Sequence, residues 1–287
     1  GVAVRAVLQI CHGVAEHIAR YDGFARALNE QGIVVAGHDH LGHGKSLPEG
    51  GTPVYFGDGN TWNTVVDDIY VLHQRLKQRY PDVPLCIMGH SMGSFLTRTY
   101  LIRYPGTVKA AVIMGTGWQP RAAITGGLAL ANAIAAVSGE NATSELVTEL
   151  AFGSYNKLFA PNRTKVDWLS ADESNVDDYI ADPLCGADAT VGLFRQMLHG
   201  IRFNQRQSHL RQMDKQMPVL FVAGDKDPVG SCGKGVRQTY DAFRAAGMRD
   251  CTLKLYPGLR HEILNEKAYT ADITKNIEAW LLSRLEK

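Results

Sequence analysis

The sequence predicts an α/β fold, with one mostly parallel sheet flanked by helices and interrupted by an inserted helical segment. Three observations carry this reading. Short apolar runs alternate with longer helical patterns as far as Gly115. No strand-like run occurs from about residue 118 to residue 213. The alternation then resumes. A β-α-β-α rhythm of this kind places helices on both faces of a parallel sheet.

The elements follow in order. Ala6–Cys11 is an apolar run broken by His12-Gly13 and reads as the first strand. Residues 21–31 are helical in pattern, with Phe24, Ala27 and Leu28 on one face, and Gly32 supplies the C-terminal stop. Ile33–Gly37 is the next strand. Residues 60–80 repeat Val65, Ile69, Leu72 and Leu76 at helical spacing, and Pro81 and Pro84 end the pattern. Residues 85–89, 92–104 and 109–115 read as strand, helix and strand. After the insertion, 219–223 is a strand, 235–246 a helix, 252–256 a strand and 269–285 a closing helix. The division expected is a core of residues 1–117 and 214–287, with 118–213 as a helical cap.

The chain has 287 residues, 45% of them apolar and 21% charged, the profile of an ordinary globular domain. Its formal charge of +1 and the lack of a Lys/Arg stripe argue against a nucleic-acid partner. The five cysteines, Cys11, Cys86, Cys185, Cys232 and Cys251, are irregularly spaced and form no C-x-x-C pair. That excludes the common zinc and redox motifs and leads us to expect a reducing, cytoplasmic setting. The triplets at Asn141 and Asn162 match a glycosylation acceptor, but chance accounts for two such matches. The sequence opens on an apolar strand-like stretch, so no signal peptide is expected. No run reaches the ~18 apolar residues of a membrane span, and Asn132 interrupts the longest stretch, 126–137. Stable membrane insertion is therefore not expected.

Gly89-His90-Ser91-Met92-Gly93 matches G-x-S-x-G between a buried strand and a helix. This is the setting of a nucleophile elbow and resembles the α/β-hydrolase fold. A strand that turns sharply into a helix strains the serine backbone and leaves no room for side chains two residues away. The helix start then aims its N–H groups at developing negative charge. Ser91 is the candidate nucleophile. It needs a base, and the base needs an orienting acid. In this fold the order along the chain is serine, acid, histidine. Asp225 and Asp227 both follow the strand 219–223. Asp225 sits at the strand end, where it could cap the turn, whereas Asp227 lies further along beside Pro228. Of ten histidines only His261 follows that loop, which selects it as the base. Glu262 is its sequence neighbour and is not cast as the acid. The oxyanion donors expected are the N–H of Met92 and, from the loop after the first strand, the N–H of Val14, where Gly13 permits close approach.

These residues resemble the monoacylglycerol lipase and lysophospholipase branch of the α/β-hydrolases, often filed with serine aminopeptidase-like hydrolases. The resemblance rests on His12-Gly13-Val14-Ala15-Glu16-His17 with Tyr21, on residues 38–46 (HDHLGHGKS), on the elbow, on the acid loop 224–228 and on Arg260-His261-Glu262. It spans nearly the whole core. It implies Asp227 rather than Asp225 as the acid and supports Val14 and Met92. Residues 164–170 and 179–186 look like bacterial members of the group. In one departure, the family normally has a β-hairpin before the first core strand, and this sequence begins almost at that strand. In another, the cap differs from the lipid-facing helix of the animal enzyme.

Other signals are read as structural. His38, His40 and His43 form H-x-H-x-x-H in a glycine-rich loop, and no metal is expected there. His12 and His90 are expected to bond the backbone near the site, and Asp39 to cap its turn. The stripe Leu128, Leu130, Ala131, Ile134 and Val137 fits an acyl-chain pocket, a membrane contact or a plain cap core, and Phe194 and Met197 carry the same alternatives. Leu130, Ile134, Phe194 and Met197 are therefore candidate substrate contacts. Glu16 is a further candidate, because a peptidase would need an acidic group for its substrate amine, which Glu16 or the aspartates of the cap could supply. The expected function is cofactor-free hydrolysis of a small-molecule acyl ester, possibly a lipid, through an acyl-enzyme. The alternatives are an aminopeptidase-like hydrolase and a catalytically silent binding module. The oligomeric state is not legible.

Overall fold

The first half builds strand and helix in turn: β1 Ala6–Cys11, α1 Asp22–Asn29, β2 Ile33–Gly37, α2 Thr61–Arg79, β3 Leu85–His90, α3 Met92–Arg103 and β4 Ala110–Met114. The computed structural model describes residues 2–285, apart from the side chains at 145, 150 and 151. The outermost residues of the expected core, 1 and 286–287, lie outside that range. Next come α4 Arg121–Ser138, α5 Glu145–Thr148, α6 Ser154–Lys157, α7 Glu173–Ala181, α8 Val191–Asn204 and α9 Gln207–Leu210. The chain closes with β5 Val219–Gly224, α10 Lys234–Ala245, β6 Cys251–Tyr256 and α11 Thr270–Leu285.

The expected α/β class is borne out. One six-stranded sheet runs in the order β2-β1-β3-β4-β5-β6, and every pairing is parallel. Strand periodicity sends alternate side chains to opposite faces. Ile87, Ala111, Ile113 and Phe221 join one core with Val65, Ile69 and Phe95 of α2 and α3. Leu8, Ile10, Met88, Val112 and Val222 join the other with Phe24 and Leu28 of α1 and Ile277 of α11. Both faces are covered, which is why the strands read as unbroken apolar runs.

β2 lies on one side of β1 and β3 on the other. The connections leaving β1 and β3 therefore diverge, and a crevice opens at their carboxyl ends. In open α/β sheets this switch point is where ligands bind. The loop after β1 carries His12 to His17, and the turn after β3 carries Ser91.

Between β4 and β5 the described residues hold helices, turns and one isolated bridge, Thr143 to Thr190. Two of these helices start on side-chain caps: Asp172 accepts from Ser174 N before α7, and Thr190 accepts from Leu193 N before α8. α8 is anchored to the core by a polar relay. Trp62 Nε1 donates to Thr99 Oγ1 at 3.0 Å, and Thr99 donates to Asn204 Oδ1 at 2.8 Å. α4 rests on α8 through Ile124, Leu128 and Ala131, spaced four and three apart. By length and composition α4 is apolar enough to cross a membrane, with mean hydropathy 1.3. It reaches beyond the stretch 126–137 singled out in the sequence because its first turn begins at Arg121.

Candidate active site

β3 ends at His90 and α3 begins at Met92, so the whole turn falls on Ser91. Its backbone is forced to φ 54° and ψ −123°, a left-handed conformation that costs about 1–3 kcal/mol for a residue with a side chain. The neighbours explain the flanking glycines. A Cβ on Gly89 would sit 2.2 Å from the Gly93 carbonyl oxygen, and one on Gly93 would sit 2.0 Å from the Cys11 carbonyl oxygen. α3 thereby presses its first turn onto the end of β1. Ser91 N donates to Met114 O at 3.0 Å, which fixes the turn to β4 as well.

The loops after β5 and β6 bring the other two residues together. His261 Nδ1 lies 2.9 Å from Asp227 Oδ1. Both are buried, Asp227 completely. Val229 N donates to the same carboxylate oxygen at 2.9 Å. Asp225 points elsewhere, its Oδ1 accepting from Gly258 N at 2.8 Å. The loops touch because Gly224 lacks a side chain: a Cβ there would lie 2.0 Å from the Leu259 carbonyl oxygen. The His261 ring lies beside that of His90 in the elbow, centroid to centroid 4.7 Å.

The Met92 N–H opens α3, and helix geometry leaves a first-turn N–H without an intrahelical acceptor. Val14 sits on the β1 loop, which closely approaches the elbow: a Cβ on Gly13 would lie 3.1 Å from Ser91 Cβ. Ala15, at φ 53°, bends this loop. Its carbonyl oxygen accepts from Gly186 N and from Tyr179 Oη, both at 2.9 Å, so α7 and the turn after it brace the loop.

Behind the site lies a buried polar network that the sequence did not disclose. Glu16 Oε1 accepts from Gly13 N at 2.5 Å and from Tyr21 Oη at 3.0 Å, and lies 3.2 Å from His90 Nδ1. Arg20 donates to Glu16 Oε2 at 2.9 Å and grips Glu262 with both terminal nitrogens. Asn175 of α7 also donates to Glu262, at 2.9 Å. Burial alone would raise the Glu16 and Glu262 pKa values. The His90 hydrogen bond and the Arg20 charge outweigh it at Glu16, and the Arg20 charge and bonds do so at Glu262, so both carboxyls fall below their ordinary range, Glu16 well below. Burial also pulls His90 down, but the Glu16 bond and charge raise its pKa on balance.

Glu16 therefore requires a correction. The sequence offered it as a substrate-amine ligand, but its oxygens are spent on Gly13, Arg20, Tyr21 and His90, and it is only 3% exposed. His90 also departs from expectation, because its Nδ1 faces a carboxylate as well as its Nε2 facing the His261 carbonyl. His12 bonds backbone as expected, with Nδ1 at Gly13 O and Nε2 accepting from His40 N. Asp39 holds Ile18 N and Lys45 N, both at 2.8 Å. Among the described residues, His38, His40 and His43 do not converge on a shared metal position.

The apolar candidates separate. Phe194 and Met197 are buried in the core that α8 shares with α3 and α4, and Ile134 packs half-buried against it. Leu130 lies off the packed face and is half exposed. Sequence reasoning missed Trp168, whose ring centroid is 5.1 Å from that of His261. Its segment is sewn to the base loop: Glu262 N donates to Leu169 O at 2.7 Å, and Arg260 donates to Asp167 O and Ser170 O. A tryptophan within a mostly polar stretch was the available signal.

Known proteins resemble this chain over nearly its whole length. The family model described as "Serine aminopeptidase, S33" matches residues 2–268. A monoacylglycerol lipase from Mycolicibacterium smegmatis is 32% identical over 286 residues, covering 98% of this chain and 89% of that protein. A monoglyceride lipase from Mus musculus is 27% identical, covering 98% and 84%. The crystal structure of a thermostable carboxyl esterase from Bacillus coagulans superposes with a TM-score of 0.92 at 26% identity, covering 99% of this chain and 91% of that one. These matches and the sheet order bear out the resemblance read from the motifs, and the chain belongs to the serine aminopeptidase S33 family of α/β-hydrolases.

Proposed function

We propose that this protein is a carboxylic ester hydrolase of the monoacylglycerol lipase type, working through an acyl-enzyme on Ser91. The observation that carries the proposal is the pairing of a strained serine at the carboxyl end of β3 with a buried His261–Asp227 couple. His261 takes the Ser91 proton as the oxygen attacks the ester carbonyl. Asp227 holds Nδ1–H, leaving Nε2 to act as base, and stabilises the imidazolium. The N–H groups of Met92 and Val14 receive the oxyanion, and each such donor supplies about 3 kcal/mol in the transition state. His261 returns the proton to the leaving alcohol. Water then repeats the sequence on the acyl group.

The substrate is a small-molecule ester. A monoacylglycerol-type lipid is favoured by the relatives named for that activity. The full commitment of Glu16 weighs against an aminopeptidase, because the carboxylate best placed beside the oxyanion loop is not free for an amine. Residues 118–213 form the proposed cap over the site, with Trp168 lying against His261.

A panel of monoacylglycerols, lysophospholipids, p-nitrophenyl esters and aminoacyl anilides tests this reading. Esters are expected to turn over faster than every anilide, with monoacylglycerols among the best. Faster cleavage of an aminoacyl anilide than of all esters would overturn it.

A further inference from the structure

Three side chains of different chemistry meet where the turn after α7 touches the loop after β1. His17, Asp182 and Cys185 bring a ring nitrogen, a carboxylate oxygen and a sulfur within 4.8 Å of one another. His17 is buried, and the other two are half-buried. We propose that these residues form a binding site for a soft divalent cation of the Zn2+ or Cd2+ class, which would bridge the cap to the oxyanion loop.

The donor set is what such an ion selects: an imidazole, a carboxylate and a thiolate, with water in a fourth position. The spacing suits it. Zinc bonds of ~2.0–2.3 Å in a tetrahedron set the ligand atoms ~3.3–3.6 Å apart. His17 Nε2 and Asp182 Oδ2 now stand 2.8 Å apart, so they would open by about half an ångström.

Much of the ordering is already in place. Asp182 Oδ1 accepts from Leu184 N at 2.9 Å, and Cys185 N donates to Asp182 O at 3.0 Å, which sets the turn. Gly186 N and Tyr179 Oη, both on Ala15 O, fix that turn to the loop carrying His17. An ion binding there meets little further conformational cost.

The surrounding charge also permits a cation. Arg20, the cation whose charge acts on Cys185, is spent on Glu16 and Glu262. Asp182 enters as carboxylate. His17 moves its proton to Nδ1 and presents Nε2. Burial keeps the Cys185 thiol protonated, its pKa raised to about 12, so the ion displaces that proton to solvent as the metal–sulfur bond forms. This chemistry is independent of what Ser91 hydrolyses, and the test reads the ion rather than turnover.

Cd2+ is titrated into protein carrying Cys232→Ser, which removes the exposed thiol. One equivalent should generate a thiolate-to-cadmium absorption band. Cys185→Ser should abolish the band and weaken Zn2+ binding by about tenfold or more in chelator competition, and Asp182→Asn should weaken Zn2+ binding while keeping the band. In the parent protein, Zn2+ should also protect Cys185 from alkylation, read by peptide mass. Absence of the band, unchanged Zn2+ affinity in Cys185→Ser, or alkylation of Cys185 unaffected by Zn2+ would each overturn the proposal.

Discussion

Arg20 holds both oxygens of Glu262, at 2.6 and 2.7 Å, and thereby fixes the residue that follows His261. The same guanidinium reaches Glu16, whose carboxylate holds the Gly13 N–H one residue before Val14. One side chain thus sets the base loop and the oxyanion loop relative to each other. Its charge stacks over the Tyr179 ring of α7 at 5.0 Å.

Replacing Arg20 by Met leaves two carboxylates buried without their cation. Removing one partner of a buried pair costs about 3–5 kcal/mol. Urea unfolding should show a loss of that size, with Arg20→Lys recovering only part of it because an ammonium cannot fork. A loss of under ~1 kcal/mol would mean the network is no stronger than a surface pair.

The two aspartates of the acid loop should behave very differently. Asp227→Asn removes the charge facing His261 Nδ1 and should lower kcat by about 10⁴. Asp225→Asn disturbs only the bond to Gly258 N, should cost about 1 kcal/mol of stability and should leave kcat within its order of magnitude. Steady-state kinetics on a p-nitrophenyl ester distinguish them, and equal losses would reassign the acid.

Gly93→Ala probes the contact between the elbow and β1. The added methyl would meet the Cys11 carbonyl oxygen at 2.0 Å, which forces α3 away from β1. Overpacking of this kind costs about 1–3 kcal/mol, and a shift of ~1 Å at the nucleophile costs about 10²-fold in rate. Thermal unfolding and kcat measured together should both fall. A fully active variant would show that the oxyanion loop does not depend on this contact.

Acid should destabilise the protein through its buried histidines. Burial lowers His12 to about 4, His40 well below its ordinary value, and His43 in the same direction. The unfolded chain binds those protons near pH ~6.5 and the folded chain does not, so stability is lost as pH falls from ~6.5 towards 4. Glu16 and Glu262, held low in the fold, deepen the loss below pH ~4.5. His90 works in the opposite sense: its raised pKa gives stability that is present below ~6.5 and lost as pH rises through the folded value. Among the described residues the His40 ring nitrogens meet no hydrogen-bond partner, so His40→Leu should flatten the fall of the urea midpoint between pH ~6.5 and ~4. Unchanged steepness would exclude His40 as a contributor.

The sequence disclosed what is local. Gly89 and Gly93 frame Ser91 within five residues, and the strand–turn–helix that gives them meaning is equally short-range. Chain order then isolated His261. The choice between Asp225 and Asp227 was not local, because it depends on which carboxylate faces a ring 34 residues on. The network behind the site was hidden for the same reason, since Arg20 and Glu262 are 242 residues apart. The segment between β4 and β5 was legible as helical, but not in how it packs. The face of α4 that meets α8 runs through Ile124, Leu128 and Ala131, so Leu130 in the expected stripe falls outside it. The position of Trp168 over His261 is set by backbone bonds from Arg260 and Glu262, which composition does not encode.

The central claim is that Ser91 forms the covalent bond. Intact-protein mass after treatment with a fluorophosphonate, read alongside monoacylglycerol hydrolysis, tests it most directly. The parent should gain a single phosphonyl group, mapped to the Ser91 peptide, and lose all turnover. Ser91→Ala should gain none, and its hydrolysis should sit near the uncatalysed background. A phosphonyl group on another residue, or undiminished hydrolysis by Ser91→Ala, would contradict the account.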